Sequence, residues 1–275
     1  MASLQLLGIC LEAALAILGL RLLWDRALSP LARSAAEPAR LEPWPSGGAE
    51  LLLFLIFAVA GGLALPLVAD FALRRTGIDL VGRTVWDAAA FQAGLLAGIA
   101  LFNVRLVPVV ARVWENLGES LRTGALTFLI CLPLVFGLAL LWQGALSACG
   151  LPVHRQDVVE LFEKIHSPTL RVVFALAALV VAPITEELIF RAGLFRFLRG
   201  RVPRWIAILA PSVVFGASHL TRSLADGLAA FVPLVLLGVI FSLAYERTGK
   251  IGTTIVAHAL FNLNTLVALL LGINT

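Results

Sequence analysis

Charged residues are scarce in this sequence. Of its 275 residues 14% are charged and 60% are hydrophobic, and the mean hydropathy is +0.97. Soluble domains carry about 25% charged and about 45 to 50% apolar residues, so the composition excludes an ordinary soluble domain. We predict an all-α, polytopic transmembrane helical bundle that forms one membrane domain over residues 1–275, with about eight spans because each span needs about 20 apolar residues.

The sequence also lacks the motifs of several common hydrolases and metal sites. Its cysteines, Cys10, Cys131 and Cys149, show no metal-ligand spacing, and we interpret all three as small core residues. No H-E-x-x-H sequence occurs, and the residues around Ser218 lack the second glycine of a nucleophile elbow. These absences argue against a zincin-type protease and against an α/β-hydrolase.

No basic patch interleaved with aromatic residues accompanies the net charge of +4, which argues against a nucleic-acid partner. The Lys and Arg residues lie instead in short loops between apolar runs, with thirteen on one side of the predicted bundle and seven on the other. The positive-inside rule then places the first set in the cytoplasm and both chain ends outside. We expect an integral protein of the plasma (inner) membrane, in contact with membrane lipid.

Hydropathy predicts eight spans in two groups of four. The N-terminal group, within residues 1–148, comprises Leu4–Trp24, Leu51–Leu73, Trp86–Val104 and Ala125–Ala148. The C-terminal group, within residues 170–271, comprises Leu170–Phe190, Trp205–Leu220, Leu228–Tyr245 and Thr253–Leu271. Proline and glycine between the first two spans predict an irregular loop, and residues 157–165 have the pattern of a short helix in the headgroup plane.

Three charged residues follow an apolar stretch in the fifth span: Glu186, Glu187 and Arg191. A charge at the centre of a membrane helix costs about 2.5 to 3.5 kcal/mol on insertion scales, so the group predicts a compensating environment or a functional site. Glu187 and Arg191 are four residues apart and can pair, which leaves Glu186 free for chemistry. Pro183 removes a hydrogen bond to the carbonyl of Leu179, a defect tolerated at membrane depth mainly beside a polar cavity.

Two further polar motifs lie on separate predicted helices. Phe215 and His219 are four residues apart in the sixth span, and His258 and Asn262 are four apart in the eighth. Glu186 and His219 could activate a water for attack on an amide while His258 and Asn262 hold the oxyanion. Alternatively, Glu186, His219 and His258 could bind Zn²⁺ or another divalent metal, since zinc takes three protein ligands and a water at catalytic sites.

The three motifs, in this order, resemble those of the CAAX prenyl endopeptidase type II and bacteriocin-processing family, also called the CPBP or abortive-infection family. The similarity covers roughly Leu170–Leu271, and the first four spans match only in being hydrophobic. It implies an intramembrane endopeptidase in which Glu186 and His219 activate water and His258 and Asn262 support the oxyanion. Family members are classed as metalloproteases, and glutamate-driven catalysis without a metal is also proposed, so the metal stays open. The supporting residues are Glu187, Arg191 and Phe215.

The resemblance also implies a membrane-associated protein or peptide as substrate, and we expect the active site to open to the cytoplasmic side. Eukaryotic members remove three C-terminal residues from prenylated proteins, whereas many bacterial members have other or unknown substrates, including peptides linked to bacteriocin maturation or immunity. Two other classes stay open. Buried Glu and His residues also form the relays of proton- or ion-coupled transporters, and the chain could be a non-catalytic, peptide-binding or immunity membrane protein.

Overall fold

The computed structural model describes residues 2–31, 39–105, 116–151, 157–220 and 224–271, and within these ranges it contains helices and no strand. Residues 39–47, part of the loop predicted between the first two spans, are non-helical, while the rest of that loop at 32–38 lies outside the described residues. The helices are α1 (Ala2–Leu23, followed by a π-helical turn at Trp24–Leu28), α2 (Gly48–Leu73), α3 (Leu80–Arg105), α4 (Leu117–Ala148), α5 (Asp157–Lys164), α6 (Pro168–Arg199), α7 (Arg204–Ala217), α8 (Leu224–Thr248) and α9 (Ile251–Leu270).

Seven helices in the described ranges are long and apolar enough to cross a membrane, namely α1 to α4, α6, α8 and α9. With the shorter apolar helix α7 they confirm the predicted all-α, polytopic bundle. The chain is an integral membrane protein. The acidic motif lies well inside α6, which continues to Arg199, so Glu186 and Glu187 do not mark a frayed helix end.

The sixth predicted span is wrong at its C-terminal end. Helix α7 has 14 residues and stops at Ala217, so His219 lies in the turn that follows. At 1.5 Å per residue this helix covers about 21 Å, less than the roughly 30 Å of the hydrocarbon core. Non-helical backbone at such a depth is tolerated where it lines a cavity.

Helices α2 and α3 pack with their backbones in contact. A Cβ atom added to Gly94 would lie 2.2 Å from the carbonyl oxygen of Gly61, and one added to Gly98 would lie 2.0 Å from that of Phe57. Small residues allow this approach, which is a common basis of helix association in membranes. The contact fixes the position of α3 and of the side chains that it carries toward α6.

Ion pairs join several helices at one end of the bundle, which we call the arginine-rich end. Glu246 on α8 is 3% exposed and pairs with Arg199 on α6 at 2.5 Å and with Arg204 on α7 at 2.7 Å. Lys250 pairs with Glu119, which joins the start of α9 to the start of α4. Ion pairs therefore hold α6, α7 and α8 together at this end of the bundle, and another joins α9 to α4.

An apolar core lies beside the polar motifs. It includes the buried side chains of Phe128, Cys131, Phe215 and Phe241, which come from α4, α7 and α8. Cys131 is a core residue, as predicted, but Cys10 and Cys149 are exposed, so that prediction is wrong for them. The core separates the polar groups of α6 from the surroundings of the bundle.

Candidate active site

Helix α6 changes its winding around the acidic motif. It is π-helical over Ala177–Val181, α-helical over Ala182–Glu187 and π-helical again over Leu188–Phe195. The N–H of Ala182 bonds to the carbonyl of Ala177, five residues earlier, as the π-helical pattern requires. Such local wide turns are rare and often occur at functional sites.

The first wide turn changes which carbonyl Pro183 leaves without a partner. In a π-helical turn the residue opposite the carbonyl of Ala178 is Pro183, which has no N–H to donate. The side-chain Nδ2 of Asn262 on α9 donates to this carbonyl instead, at 2.8 Å. The prediction that Leu179 loses its bond was therefore wrong by one residue, because it assumed an α-helical winding. One N–H of Asn262 is used in this way, and its role as an oxyanion donor stays a prediction for the other.

A buried ion pair and a histidine share one carboxylate oxygen. The predicted pair between Arg191 and Glu187 is present, with Nη1 3.0 Å from Oε1 and side chains 1% and 0% exposed. The Nδ1 atom of His258 lies 3.0 Å from the same Oε1. The Arg191 guanidinium also stacks over the rings of Phe215 at 4.5 Å and Phe241 at 5.4 Å. Glu187 therefore supports both Arg191 and His258, and the second contact was not predicted.

The two histidines present the same ring nitrogen to Glu186. His219 Nδ1 lies 2.9 Å from the backbone carbonyl of Phe215, and His258 Nδ1 faces the carboxylate of Glu187. Because a carbonyl and a carboxylate only accept, both Nδ1 atoms carry the proton. In the neutral form the bare Nε2 atoms then point to Glu186 Oε2, at 3.8 Å from His219 and 3.7 Å from His258.

Glu186 has one free and one held oxygen. Its Oε2 atom is buried and has no hydrogen-bond partner among the described residues, while its Oε1 atom accepts from Nε2 of Gln92 on α3 at 3.4 Å. Three acceptor atoms, Glu186 Oε2 and the Nε2 atoms of His219 and His258, therefore surround one position. A water that donates to two of them has the arrangement needed for its activation. Because Oε2 is covered in this structure, the entry of that water requires a small shift of the surrounding side chains.

The same three residues are spaced too widely for a tetrahedral zinc site. Zinc–nitrogen distances of about 2.0 to 2.1 Å place neighbouring ligands about 3.3 Å apart, whereas Glu186 Oε2 is 3.8 Å from His219 and 3.7 Å from His258. No three His, Cys, Asp or Glu side chains within the described ranges form a group that could hold a metal ion. The structure thus brings Glu186, His219 and His258 together, but the distances from Glu186 Oε2 to the two histidines are longer than those between zinc ligands.

A cavity of about 640 Å³ leads to this position. All four residues predicted to be catalytic line it, as does Phe215. Its other end is formed by Val85 near the start of α3, Phe162 on α5 and Leu269 near the end of α9. These helix ends lie at the opposite end of the bundle from the arginine-rich end. The polar lining at the deep end consists of Gln92, Glu186, His219, His258 and Asn262.

Part of the chain is similar to proteins of a known family. Residues 168–264 match the model of the "Type II CAAX prenyl endopeptidase Rce1-like" family, and this stretch carries all three polar motifs. Residues 168–264 therefore resemble the CPBP family. The chain is also 26% identical over 226 residues to YdiL of Bacillus subtilis (strain 168), which is named as a candidate membrane peptidase; the alignment covers 77% of the chain and 84% of YdiL. No solved structure matches. Together these similarities make the chain a membrane protease.

Proposed function

We propose that the chain is an intramembrane endopeptidase that cleaves a membrane-associated protein or peptide with a water held by Glu186, His219 and His258. The observation that carries the proposal is the convergence of three acceptor atoms at the deep end of the cavity. A water at that position donates to two of them and turns a lone pair toward the cavity. The carbonyl carbon of a bound substrate is its target.

In this scheme Glu186 is the general base. It takes a proton as the water oxygen bonds to the carbonyl carbon and the carbonyl electrons move to oxygen. It then gives that proton to the amide nitrogen as the C–N bond breaks. Glu186 Oε2 has no hydrogen-bond partner among the described residues, so its lone pairs are available for both proton transfers.

The oxyanion that forms on the substrate carbonyl needs a hydrogen-bond donor. The net charge of the buried groups favours a protonated histidine in this role. Glu186, Glu187 and Arg191 together carry one net negative charge. When His258 carries a second proton, its Nε2–H becomes a donor, and Glu186 Oε2 and His219 Nε2 are the two acceptors that hold the water. The imidazolium N–H then stabilises the oxyanion. His258 is the better placed for this role because its Nδ1–H is held by the Glu187 carboxylate, and the second N–H of Asn262 can assist.

We propose a substrate with a large apolar substituent, of the CAAX type. The cavity between the site and its outer end is lined mainly by apolar side chains, among them Phe91, Phe136 and Phe174. Its volume of about 640 Å³ lies within the range of about 300 to 1,000 Å³ for ligand pockets. A prenylated peptide fits this combination of size and polarity.

We further propose that the protein lies in the plasma membrane with the outer end of the cavity toward the cytoplasm. The positive-inside rule places the arginine-rich end in the cytoplasm, whereas the lining of the cavity extends to the opposite helix ends, at Val85, Phe162 and Leu269. The predicted topology and the predicted cytoplasmic opening therefore disagree. Several cations at that end also have structural partners in the folded bundle, so their presence there has a second physical reason. Besides the pairs of Glu246 and Glu119, Arg196 and Arg201 donate to the backbone carbonyls of Glu42 and Ser46 at 2.9 and 2.6 Å.

The native thiols report this orientation. Cys149 is exposed at the end of α4, near the open end of the cavity, whereas Cys131 is buried and Cys10 is exposed inside a membrane-spanning helix. A membrane-impermeant maleimide should therefore label Cys149 in inverted vesicles and not in intact cells. Labelling of intact cells that Cys149→Ser removes would contradict the cytoplasmic opening and support the positive-inside assignment.

The activity itself is tested with purified protein in ¹⁸O-labelled water. The probe is a quenched fluorescent peptide with a farnesylated cysteine followed by three residues, together with the same peptide without the farnesyl group. We expect cleavage that adds one ¹⁸O atom to the new carboxyl group and that Glu186→Gln abolishes. Asp70→Asn, an acid on α2 paired with Arg74 and remote from the cavity, is the matched control and should cleave normally.

Two outcomes would contradict the proposal. Wild-type protein that binds the peptides without cleaving them supports a non-catalytic, peptide-binding role. Proteoliposomes that take up protons or ions in a Glu186-dependent manner, without peptide cleavage, support a transporter. Cleavage of only the unmodified peptide would keep the protease and overturn the CAAX-type substrate.

A further inference from the structure

We propose that Gln92, oriented by Thr185, is a positioning residue for the general base Glu186. The inference rests on the proposed function and adds a residue from α3, which lies outside the stretch of residues 168–264 that matches the family. Gln92 interrupts the apolar third span, and its side chain lines the deep end of the cavity. It reaches a site whose other polar members come from α6, from the end of α7 and from α9.

Gln92 accepts a hydrogen bond from Thr185 and donates one to Glu186. The Thr185 hydroxyl donates to Gln92 Oε1, and Gln92 Nε2 lies 3.4 Å from Glu186 Oε1. Because a carboxylate only accepts, the amide must turn Nε2 toward Glu186 and leave Oε1 for a donor. Thr185 is 0% exposed and supplies that donor. The opposite amide orientation would place two acceptors against each other.

The hydrogen bonds from Thr185 to Gln92 and from Gln92 to Glu186 hold Oε1 of the Glu186 carboxylate and thereby orient Oε2. With Oε1 held by Gln92, Oε2 of Glu186 faces the Nε2 atoms of His219 and His258. A Glu side chain without this contact rotates about its terminal torsion, which is broad and poorly restrained by itself. The hydrogen bond therefore raises the fraction of time in which the base faces the water.

The backbone that carries Gln92 is fixed by its neighbours on α3. Gly94 is two residues further along the chain and contacts the carbonyl of Gly61 on α2 so closely that a Cβ would lie 2.2 Å from it. A rigid helix is a better support for a positioning side chain than a loop. The amide of Gln92 is thus presented to Glu186 at a defined place.

Steady-state kinetics on the farnesylated peptide test the proposal. Gln92→Leu and Thr185→Val should each lower kcat about 10- to 100-fold, the usual effect of losing a hydrogen bond to a charged group or of a small misplacement of a catalytic group. KM should stay within about threefold, because neither side chain needs to bind the substrate. Thr185→Ser keeps the hydroxyl and should restore kcat.

Combined and control variants separate positioning from a structural role. The carbonyls of Val181 and Ala182 lie 3.1 and 3.0 Å from Thr185 Oγ1 and compete for its single proton, so the loss of a local bond must be distinguished from the loss of the bond to Gln92. Gln92→Leu/Thr185→Val should be no slower than Gln92→Leu alone, since Thr185 acts through Gln92. Thr127→Val removes a comparable local bond on α4, and Asn103→Leu removes an amide on α3 that bonds to the carbonyl of Ile99; both should keep the wild-type kcat.

Three results would overturn the proposal: an unchanged kcat in Gln92→Leu, a raised KM with kcat retained, or a double variant that is slower by the product of the two single effects. Glu186→Gln, measured in parallel, keeps this test apart from the proposed function. Cleavage that survives Glu186→Gln refutes the proposed function. Cleavage that is lost in Glu186→Gln but unaffected in Gln92→Leu refutes only the role of Gln92.

Discussion

Glu187→Gln should destabilise the protein strongly, although it keeps the size and shape of the side chain. The carboxylate faces Arg191 and His258, each at 3.0 Å, and all three side chains are at most 5% exposed. Removal of one partner of a buried ion pair leaves an uncompensated charge and costs about 3 to 5 kcal/mol. The loss of free energy of unfolding should fall in this range, because the Arg191 side chain is 1% exposed and its guanidinium lies over the rings of Phe215 and Phe241.

A double variant shows whether the cost comes from the unpaired charge. Glu187→Gln/Arg191→Met removes both charges and leaves a flexible apolar side chain against the two rings. Replacement of a whole buried pair by apolar groups is often neutral for stability. We therefore expect the double variant to regain at least about 2 kcal/mol of the loss caused by Glu187→Gln alone.

The assay is reversible unfolding by SDS in mixed micelles, followed by far-UV circular dichroism, with the free energies of unfolding compared at one lipid-to-detergent ratio. Glu186→Gln serves as the matched control, because its Oε2 has no partner among the described residues, and it should stay within about 1 kcal/mol of wild type. A loss below about 1 kcal/mol for Glu187→Gln, or a double variant less stable than Glu187→Gln, would refute the reasoning.

Three other predictions follow from single contacts. Gly94→Leu should separate α2 from α3 and lower both stability in the SDS assay and kcat, because even a Cβ would lie 2.2 Å from the carbonyl oxygen of Gly61; wild-type values would contradict the close packing. Asn262→Leu should cost about 1 to 3 kcal/mol of unfolding free energy by leaving the carbonyl of Ala178 without a donor, and a fully stable variant would show that this carbonyl finds another partner. Dialysis against a chelator should leave cleavage unchanged, because Glu186 Oε2 and the two histidines are more widely spaced than zinc ligands; activity that is lost and then restored by added Zn²⁺ would overturn this.

Contacts that depend on spacing along one helix could be predicted from the sequence. Glu187 and Arg191 are four residues apart, so their pairing follows from helix geometry. The contact between Glu187 and His258 spans 71 residues and two helices. Hydropathy gives no information about which faces of distant helices meet, so neither this contact nor the shared use of Glu187 could be predicted.

The local winding of α6 and α7 could not be predicted from the sequence either. The apolar run of the sixth span continues to Leu220, but the helix stops at Ala217, because hydropathy records composition and not hydrogen bonding. The effect of Pro183 was placed one residue away for a similar reason, since a π-helical turn shifts the unpaired carbonyl to Ala178. Gln92 did carry a signal, an amide within an apolar span, but nothing in the sequence showed that α3 reaches α6.

The central claim is that Glu186 activates the attacking water, and kcat of Glu186→Gln on the farnesylated peptide tests it most directly. A positioned general base contributes about 10² to 10⁴ to the rate. We predict a loss of that size in a variant whose unfolding free energy matches that of wild type. A kcat within tenfold of wild type would contradict the assignment of Glu186 as the base.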